Sequence, residues 1–319
     1  MARYRTALPQ LKGDLFLTDG GIETTLIFHD GFELPDFAAF HLLQSASGQA
    51  ALLKYFRSYA DVARRFGTGI ILESATWRAS ADWGTRLGYT PQALADANVA
   101  SIALLEQIRQ EYETEAAPVV ISGCVGPRGD GYVADRVMTA QQAETYHRAE
   151  VETFAGTAAD MVCAITMNYV EEAIGIARAA ERARMPVVLS FTVETDGRLP
   201  AGQPLRAAIE QVDDSTGGYP RYYMINCAHP SHFDAALSDE GRWLGRVRGV
   251  RANASRKSHA ELNESTELDV GDPVELGADY ARLKRRLKLL NVLGGCCGTD
   301  HRHVEQMASA CLPLFGAAT

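Results

Sequence analysis

The sequence predicts an α/β protein with a (β/α)8 (TIM) barrel fold, and two observations lead to this class. Short apolar segments typical of buried strands alternate eight times with helical segments along the chain. The alternation runs through 319 residues, and no Pro-, Gly- or Ser-rich linker divides it. We therefore predict a single barrel domain over residues 1–319. A doubly wound open sheet shows the same alternation and is the alternative fold.

The predicted elements alternate between strand and helix in chain order. The first strand ends at Asp19, and the seventh has the weakest pattern. The polar stretch from Asn253 to Pro273 is predicted to be a long loop over the active site. The predicted strands cover 14–19, 69–74, 118–123, 160–165, 186–192, 222–227, 247–252 and a last segment that begins at 291. The predicted helices cover 48–66, 91–112, 139–158, 170–184, 204–212, 230–237, 277–287 and 300–312.

The last predicted strand runs into the motif Gly294-Gly295-Cys296-Cys297-Gly298, after which Thr299-Asp300 caps a helix. Glycines allow a tight loop that presents both thiols at the carboxyl end of the strand. Adjacent cysteines rarely meet disulfide geometry, so a shared soft metal ion explains the pair better. Because catalytic zinc uses about three protein ligands and one open position, one more ligand must come from elsewhere.

Cys227 is the predicted third ligand. It follows Asn226 at the end of the sixth strand, on the edge of the barrel where the cysteine pair also lies. Cys124, which follows the third strand, is the rival. Cys163 and Cys311 fall within a strand and a helix pattern and are predicted to pack as small hydrophobic residues.

Composition excludes several classes of function. The formal net charge is −9, and no basic stripe with interleaved aromatic residues is present, which argues against nucleic-acid or anionic-membrane partners. No apolar segment reaches the roughly 20 residues that span a bilayer. Six cysteines in a chain of this length do not form a disulfide framework. We expect a cytosolic protein with reduced thiols, and the sequence leaves homo-oligomerisation open.

A zinc ion with three thiolate ligands has a characteristic use. Its net positive character is low, so it polarises water weakly, but it can hold a fourth thiol deprotonated near neutral pH. The sequence therefore favours a sulfur nucleophile that attacks an electrophilic methyl group.

These segments resemble the zinc-dependent homocysteine S-methyltransferase family, which includes S-methylmethionine- and betaine-dependent enzymes. The two cysteine motifs are the most specific part of the resemblance, which extends over nearly the whole chain. The matching segments are Asp19-Gly20-Gly21, Thr76-Trp77-Arg78-Ala79-Ser80, Gly123-Cys124-Val125-Gly126-Pro127, Ser190-Phe191-Thr192, Asp196-Gly197-Arg198-Leu199, Asn226-Cys227 and Gly294-Gly295-Cys296-Cys297-Gly298.

The resemblance implies an enzyme that moves a methyl group from a sulfonium or quaternary-ammonium donor to homocysteine, giving methionine, through a zinc-bound thiolate. Its partners would be a small-molecule thiol acceptor and a small soluble donor such as S-methylmethionine or S-adenosylmethionine. The cofactor is Zn2+. The implied site residues are Asp19, Thr76 and Asn226 around the substrates, with Asp19 on the substrate amino group, and Cys227, Cys296 and Cys297 on the metal.

The sequence departs from the family at two positions. Ile165 stands where the family usually has a glutamate that binds the homocysteine amino group, and Glu23 replaces a small residue. Glu73, Glu23 or Asn168 are candidate replacements for the missing carboxylate. Two alternatives follow. In the first, the enzyme uses the same zinc chemistry on another small thiol or selenol, or acts as a demethylase. In the second, the barrel is not catalytic, holds zinc and binds a small ligand.

Three other patterns have a simpler structural interpretation. Asp300 and His303 suggest metal ligands, but their position predicts a helix cap. His229, two residues after Cys227, is not expected to form a nucleophile pair with it. Trp77 is expected to line the core or a pocket rather than to hold a methyl-sulfonium group by a cation–π contact.

Overall fold

The computed structural model describes residues 1–238, 241–265 and 267–316. Eight parallel strands form a closed barrel in chain order, in which the last strand pairs with the first. Closure confirms the barrel and excludes the open sheet. The strands are β1 (Phe16–Leu17), β2 (Gly69–Glu73), β3 (Val119–Val125), β4 (Met161–Met167), β5 (Val187–Thr192), β6 (Tyr223–Asn226), β7 (Val247–Ala252) and β8 (Val292–Gly295).

Helices connect the strands on the outside of the barrel. Several of them begin at a residue whose side chain accepts a hydrogen bond from the otherwise unpaired N–H groups of the first turn. Thr90 caps the helix that begins at Pro91, and Thr139 and Gln142 form a capping box. The helices are α1 (Ala46–Phe66), α2 (Ala81–Arg86), α3 (Pro91–Tyr112), α4 (Ala140–Ala155), α5 (Val170–Arg182), α6 (Leu205–Thr216), α7 (Pro230–Phe233), α8 (His259–Asn263), α9 (Pro273–Arg286) and α10 (His301–Cys311).

Some predicted boundaries are wrong. β1 has two residues rather than the six predicted, because only Phe16 and Leu17 pair with both neighbouring strands. Helix α9 begins at Pro273 instead of 277, since the Asp272 carboxylate accepts hydrogen bonds from the first turn. The predicted loop over 253–273 contains the short helix α8. A six-residue π-helical segment, Thr24–His29, follows β1 and was not predicted.

The apolar side chains form two cores, one on each face of the strands. The larger core lies between the barrel and its helices. The smaller core fills the barrel interior and includes Phe16, Ile71, Val188 and Tyr222. Parallel strands buried on both faces explain the nearly continuous apolar runs in the sequence. The polar ends of the strands therefore collect at the carboxyl edge of the barrel, where barrel enzymes place their active sites.

Across the described part of the chain, no helix combines the length and apolar character needed to cross a membrane.

Candidate metal centre and active site

Three cysteines meet at the carboxyl edge of the barrel. The sulfur atoms of Cys227, Cys296 and Cys297 all lie within 4.8 Å of one another. Cys227 directly follows β6 and the other two follow β8, so the two strands flank β7 and bring the thiols together. Cys124, the rival ligand, lies inside β3 beside Cys163 and is outside this group.

The structure joins Cys227 and Cys296 as a disulfide, with Cα atoms 5.3 Å apart, and leaves Cys297 as a free thiol. Reduction gives three sulfur donors on one side of a shared centre. Three soft ligands that leave a fourth position open are the donor set of a catalytic zinc site, so the residues fit Zn2+.

The backbone around the cysteines is held by specific contacts. Cys227 has φ +54°, in the left-handed region that non-glycine residues seldom adopt. Its N–H donates to the Arg251 carbonyl at 3.0 Å, and its carbonyl accepts a 3.0 Å hydrogen bond from Asn253 Nδ2. A Cβ atom at Gly295 would overlap the Thr299 side chain, so this position needs glycine. These contacts direct the thiols toward one another.

Asn226 braces the strands beside Cys227. Its Oδ1 accepts hydrogen bonds from the Thr166 N–H at 3.0 Å and from Ser190 Oγ at 2.6 Å, and its Nδ2 donates to Thr166 Oγ1. Asn226 thus connects the ends of β4, β5 and β6. The structure places its amide on these strands rather than on the cysteine sulfurs.

Thr76 lies after β2 and is fully buried. Its hydroxyl donates to the Cys124 carbonyl at 2.7 Å, and its oxygen lies 2.6 Å from Ser74 Oγ. Ser74 Oγ in turn accepts from the Cys124 N–H at 2.9 Å. Thr76 therefore joins the ends of β2 and β3.

Asp19 is buried after β1 and has two strong partners. Tyr55 donates a hydrogen bond to Asp19 Oδ2 at 2.9 Å, and Arg251 Nη2 lies 2.6 Å from Asp19 Oδ1. Burial raises the pKa of Asp19, while the charge of Arg251 opposes this shift. Arg251 also donates to the Gly295 carbonyl at 3.2 Å, so one buried arginine connects Asp19 to the cysteine loop.

Sequence reasoning missed Arg251, although a charged residue near the end of a buried strand was an available signal. Its Nη1 atom lacks a hydrogen-bond partner among the described residues. An unpaired buried N–H group costs free energy, so an incoming acceptor group would be stabilised there.

Ile165 lacks the carboxylate expected to bind the substrate amino group, and Glu73 is a buried carboxylate that could replace it. The half-buried Ile165 packs against the interior core, so the position assigned to the family's glutamate is apolar here. Glu73 ends β2, and burial raises its pKa to about 7. Its Oε2 atom has no hydrogen-bond partner in the described residues. Burial also raises the pKa of Glu23 to about 7.

The three simpler interpretations agree with the structure. Asp300 and His303 form a capping box at the start of α10. His229 Nδ1 accepts the Ser231 N–H at 3.2 Å, and so caps α7. The Arg78 guanidinium lies 3.9 Å from the centre of the Trp77 ring, so this arginine supplies the cation at that aromatic face.

Two loop residues that the sequence did not indicate contact the cysteines. Tyr132, between β3 and α4, has its hydroxyl oxygen 3.3 Å from Cys297 Sγ. His259, at the start of α8, donates from Nε2 to the Cys227 carbonyl at 2.6 Å. Their loops follow the third and seventh strands, and loops at this edge of a barrel are where such residues are sought.

Comparison with known proteins identifies the family of this chain. The profile of the family described as Homocysteine S-methyltransferase matches residues 16–311. The resemblance drawn from the motifs is thereby confirmed. The chain is 27% identical to the Homocysteine S-methyltransferase of Escherichia coli strain K12 over 213 residues, or 62% of this chain. It is 30% identical to the Methionine synthase of Mycobacterium tuberculosis over 155 residues, or 43% of this chain. The matched regions span 66% and 11% of these two relatives.

Solved structures show the same fold. The crystal structure of the homocysteine methyltransferase MmuM from E. coli in its oxidized form has a TM-score of 0.75 and 20% identity, and the match covers 96% of this chain and 99% of that chain. The metallated form has a TM-score of 0.72 and 20% identity, covering 95% and 98%.

Proposed function

Because this chain belongs to the homocysteine S-methyltransferase family, we propose that it transfers a methyl group from a sulfonium or quaternary-ammonium donor to homocysteine, giving methionine. The observation that carries the proposal is the group of three sulfur atoms within 4.8 Å at the carboxyl edge of the barrel. We propose that Cys227, Cys296 and Cys297, once reduced, hold Zn2+ there.

Zinc bound by three thiolates supplies a fourth position at which an acceptor thiol is held ionised near neutral pH. The protein residues supply position and charge. Cys227 is fixed by its backbone contacts to β7, and Asn226 fixes the strand ends beside it. Arg251 donates a hydrogen bond to the Gly295 carbonyl beside the cysteine pair and also pairs with Asp19. The residues around the thiol and around the charged groups of the acceptor would therefore be connected through Arg251.

The charge balance beneath the cysteines favours a zwitterionic amino acid. The buried carboxylates of Asp19 and Glu73 both interact electrostatically with the one guanidinium of Arg251. Arg251 and Arg78 also act on the carboxylate of Glu23. Two guanidinium groups therefore face three carboxylates, and a substrate ammonium group would balance the third. Asp19 is already bonded by Arg251 and Tyr55, whereas Glu73 Oε2 lacks a partner in the part of the chain that is described. Glu73 is thus our candidate to replace the carboxylate that Ile165 lacks.

The proposed donor is a small diffusible molecule such as S-methylmethionine or S-adenosylmethionine. Its methyl group would face the acceptor sulfur in line with the leaving group. The new carbon–sulfur bond forms as the donor's methyl bond breaks, and the thiol proton leaves when the acceptor binds.

Calorimetry tests the proposal directly. Reduced, zinc-loaded protein is titrated with homocysteine in buffers of different ionisation enthalpy, which reports the number of protons released. We expect saturable binding with release of about one proton, because the thiol binds as a thiolate. S-methylmethionine or S-adenosylmethionine is then added, and methionine is measured. Cysteine, which is one methylene shorter, serves as the control thiol. Zinc-loaded protein that neither binds homocysteine nor forms methionine with either donor would refute the proposed function.

A further inference from the structure

We propose that Tyr132 and His259 form a clasp over the metal-binding cysteines, in which the Tyr132 hydroxyl donates a hydrogen bond to Cys297 and tunes the metal. Tyr132 lies on the loop of residues 126–139 between β3 and α4, and His259 lies on the segment between β7 and α9. The inference rests on the proposed zinc site. It assigns positioning roles to two residues outside the ligand set.

The contact to Cys297 has a defined direction. The Tyr132 oxygen lies 3.3 Å from Cys297 Sγ, and either atom could donate if both carried a proton. A metal-bound thiolate has no proton, so Tyr132 is the donor in the loaded site. A hydrogen bond to a thiolate withdraws charge from its sulfur and leaves the metal more positive. With zinc bound, this contact from Tyr132 would favour the ionised form of an acceptor thiol at the open position.

His259 holds Tyr132 in place and contacts a second cysteine. The two rings lie with centroids 4.2 Å apart at an interplanar angle of 33°. His259 Nε2 donates to the Cys227 carbonyl at 2.6 Å, and its Nδ1 lies 3.3 Å from Glu194 Oε1. One imidazole therefore contacts the tyrosine ring, the backbone of a metal ligand and the segment after β5. The clasp joins loops that follow different strands.

The loop that carries Tyr132 is itself fixed from below. Asn168, just after β4, donates from Nδ2 to the carbonyls of Asp130 and Val133 at 2.8 and 3.3 Å. The Asp130 carboxylate accepts the Tyr132 N–H at 2.7 Å. Because Asn168 is bonded on both sides of Tyr132, it holds the loop near the barrel. Because the Tyr132 hydroxyl is already positioned, it loses less conformational freedom when the metal binds.

The experiment replaces the zinc by cobalt(II) in reduced wild-type protein and in Tyr132→Phe. Loss of the hydrogen bond raises the energy of the sulfur lone pairs, so the sulfur-to-cobalt charge-transfer band of Tyr132→Phe moves to longer wavelength. Because Cys297 also loses the contact that orients it, we expect zinc to dissociate about 10-fold more readily in competition with a chelator. His259→Ala should shift both quantities in the same direction. The double variant should change them less than the sum of the single variants, since part of the effect of His259 acts through Tyr132.

Tyr112→Phe is the matched control. Tyr112 also donates one side-chain hydrogen bond, to Asp61 Oδ1 at 3.0 Å, but it lies at the end of α3 on the outside of the barrel. Its cobalt spectrum and zinc affinity should equal those of the wild type. Circular dichroism verifies that each variant is folded.

The outcomes separate the clasp from the proposed function. If Tyr132→Phe keeps the wild-type cobalt band and zinc affinity, the clasp is refuted, whatever the activity. If the band shifts but no variant or wild type methylates homocysteine, the clasp stands and the proposed function fails. If the protein binds neither zinc nor cobalt after reduction, both ideas are overturned.

Discussion

Glu73 is a buried carboxylate in a barrel whose interior is otherwise mostly apolar. It is 4% exposed, and burial raises its pKa to about 7. The charge of Arg251 favours its ionised form, and the charge of Asp19 opposes it. A positively charged substrate group beside Glu73 would add to the effect of Arg251. An amino acid bound there would therefore reduce the cost of burying this carboxylate.

Replacement of Glu73 by glutamine tests this role. Glutamine keeps the shape but removes the charge, so we expect KM for homocysteine to rise about 10-fold or more, as a charged hydrogen bond is worth about 1.5–3 kcal/mol. The thiol 4-mercaptobutyrate lacks the amino group and is the control substrate. Its KM should be the same in Glu73→Gln and wild type. An equal rise for both thiols would mean that Glu73 acts on the pocket as a whole and not on the ammonium group.

The sequence allowed prediction of the cysteines but not of their supporting residues. Cys296 and Cys297 are adjacent and lie in a glycine-rich motif that is visible in the sequence. Cys227 follows a predicted strand, which places it at the same carboxyl edge of the barrel. Tyr132 and His259 meet across two loops, so their contact depends on loop conformation that no periodicity encodes. Arg251 pairs with a residue 232 positions away, which strand pairing alone brings near.

Helices α4 and α5 share a buried ion pair that supports the loop of the clasp. His147 Nε2 lies 2.9 Å from Glu172 Oε1, and both side chains are almost fully buried. The same carboxylate oxygen accepts the Arg128 N–H, at the start of that loop, at 2.8 Å. Burial disfavours the charged imidazole, but the carboxylates of Glu150 and Glu172 outweigh burial and raise the pKa of His147 to about 9.

This ion pair predicts a pH-dependent stability. The pKa of His147 is higher in the folded chain than the ordinary value of 6.5, so its contribution is complete below pH 6.5 and is lost as pH rises through about 9. Burial also raises the pKa of Glu150, so its contribution to the free energy of unfolding likewise falls as pH rises. Denaturant unfolding should therefore show wild type more stable than His147→Gln at pH 6, by on the order of 1–3 kcal/mol. The difference should narrow by pH 9.5.

The exposed His301 provides the control for this experiment. His301→Gln should reproduce the wild-type dependence of the free energy of unfolding on pH. A difference between wild type and His147→Gln that is constant from pH 6 to 9.5 would contradict the assignment of a charged His147.

Elements were predictable where local and tertiary signals agree. Helix α3 was predicted with both of its observed ends, because Thr90 and Pro91 mark its start. β1 was predicted too long, since apolar character extends beyond the two residues that form ladder bonds. The π-helical segment after β1 has no sequence period that distinguishes it from an α-helical turn.

At the scale of the molecule, a metal at the cysteines would connect distant parts of the chain. Cys227 and Cys296 are 69 residues apart and follow β6 and β8, with the whole of β7 and α9 between them. An ion that binds only the folded arrangement stabilises it by mass action, by about 2.7 kcal/mol at 100 times its dissociation constant. Zinc bound at this site should therefore stabilise the whole barrel against unfolding, in addition to binding substrate.

Thermal unfolding under reductant measures this linkage. We expect zinc to raise the Tm of the wild type by several degrees over the chelator-treated protein, because about 1 kcal/mol shifts the Tm of a large domain by roughly 2–4 °C. Cys297→Ser should lose most of the increase, since the site then keeps two thiolates. Cys124→Ser is the matched control: its thiol is buried in β3 outside the group of three, so its starting Tm falls while its zinc-dependent increase remains. If the increase were instead kept in Cys297→Ser and lost in Cys124→Ser, the zinc ligand would be Cys124 in β3 and not Cys297, which would contradict the proposed ligand set.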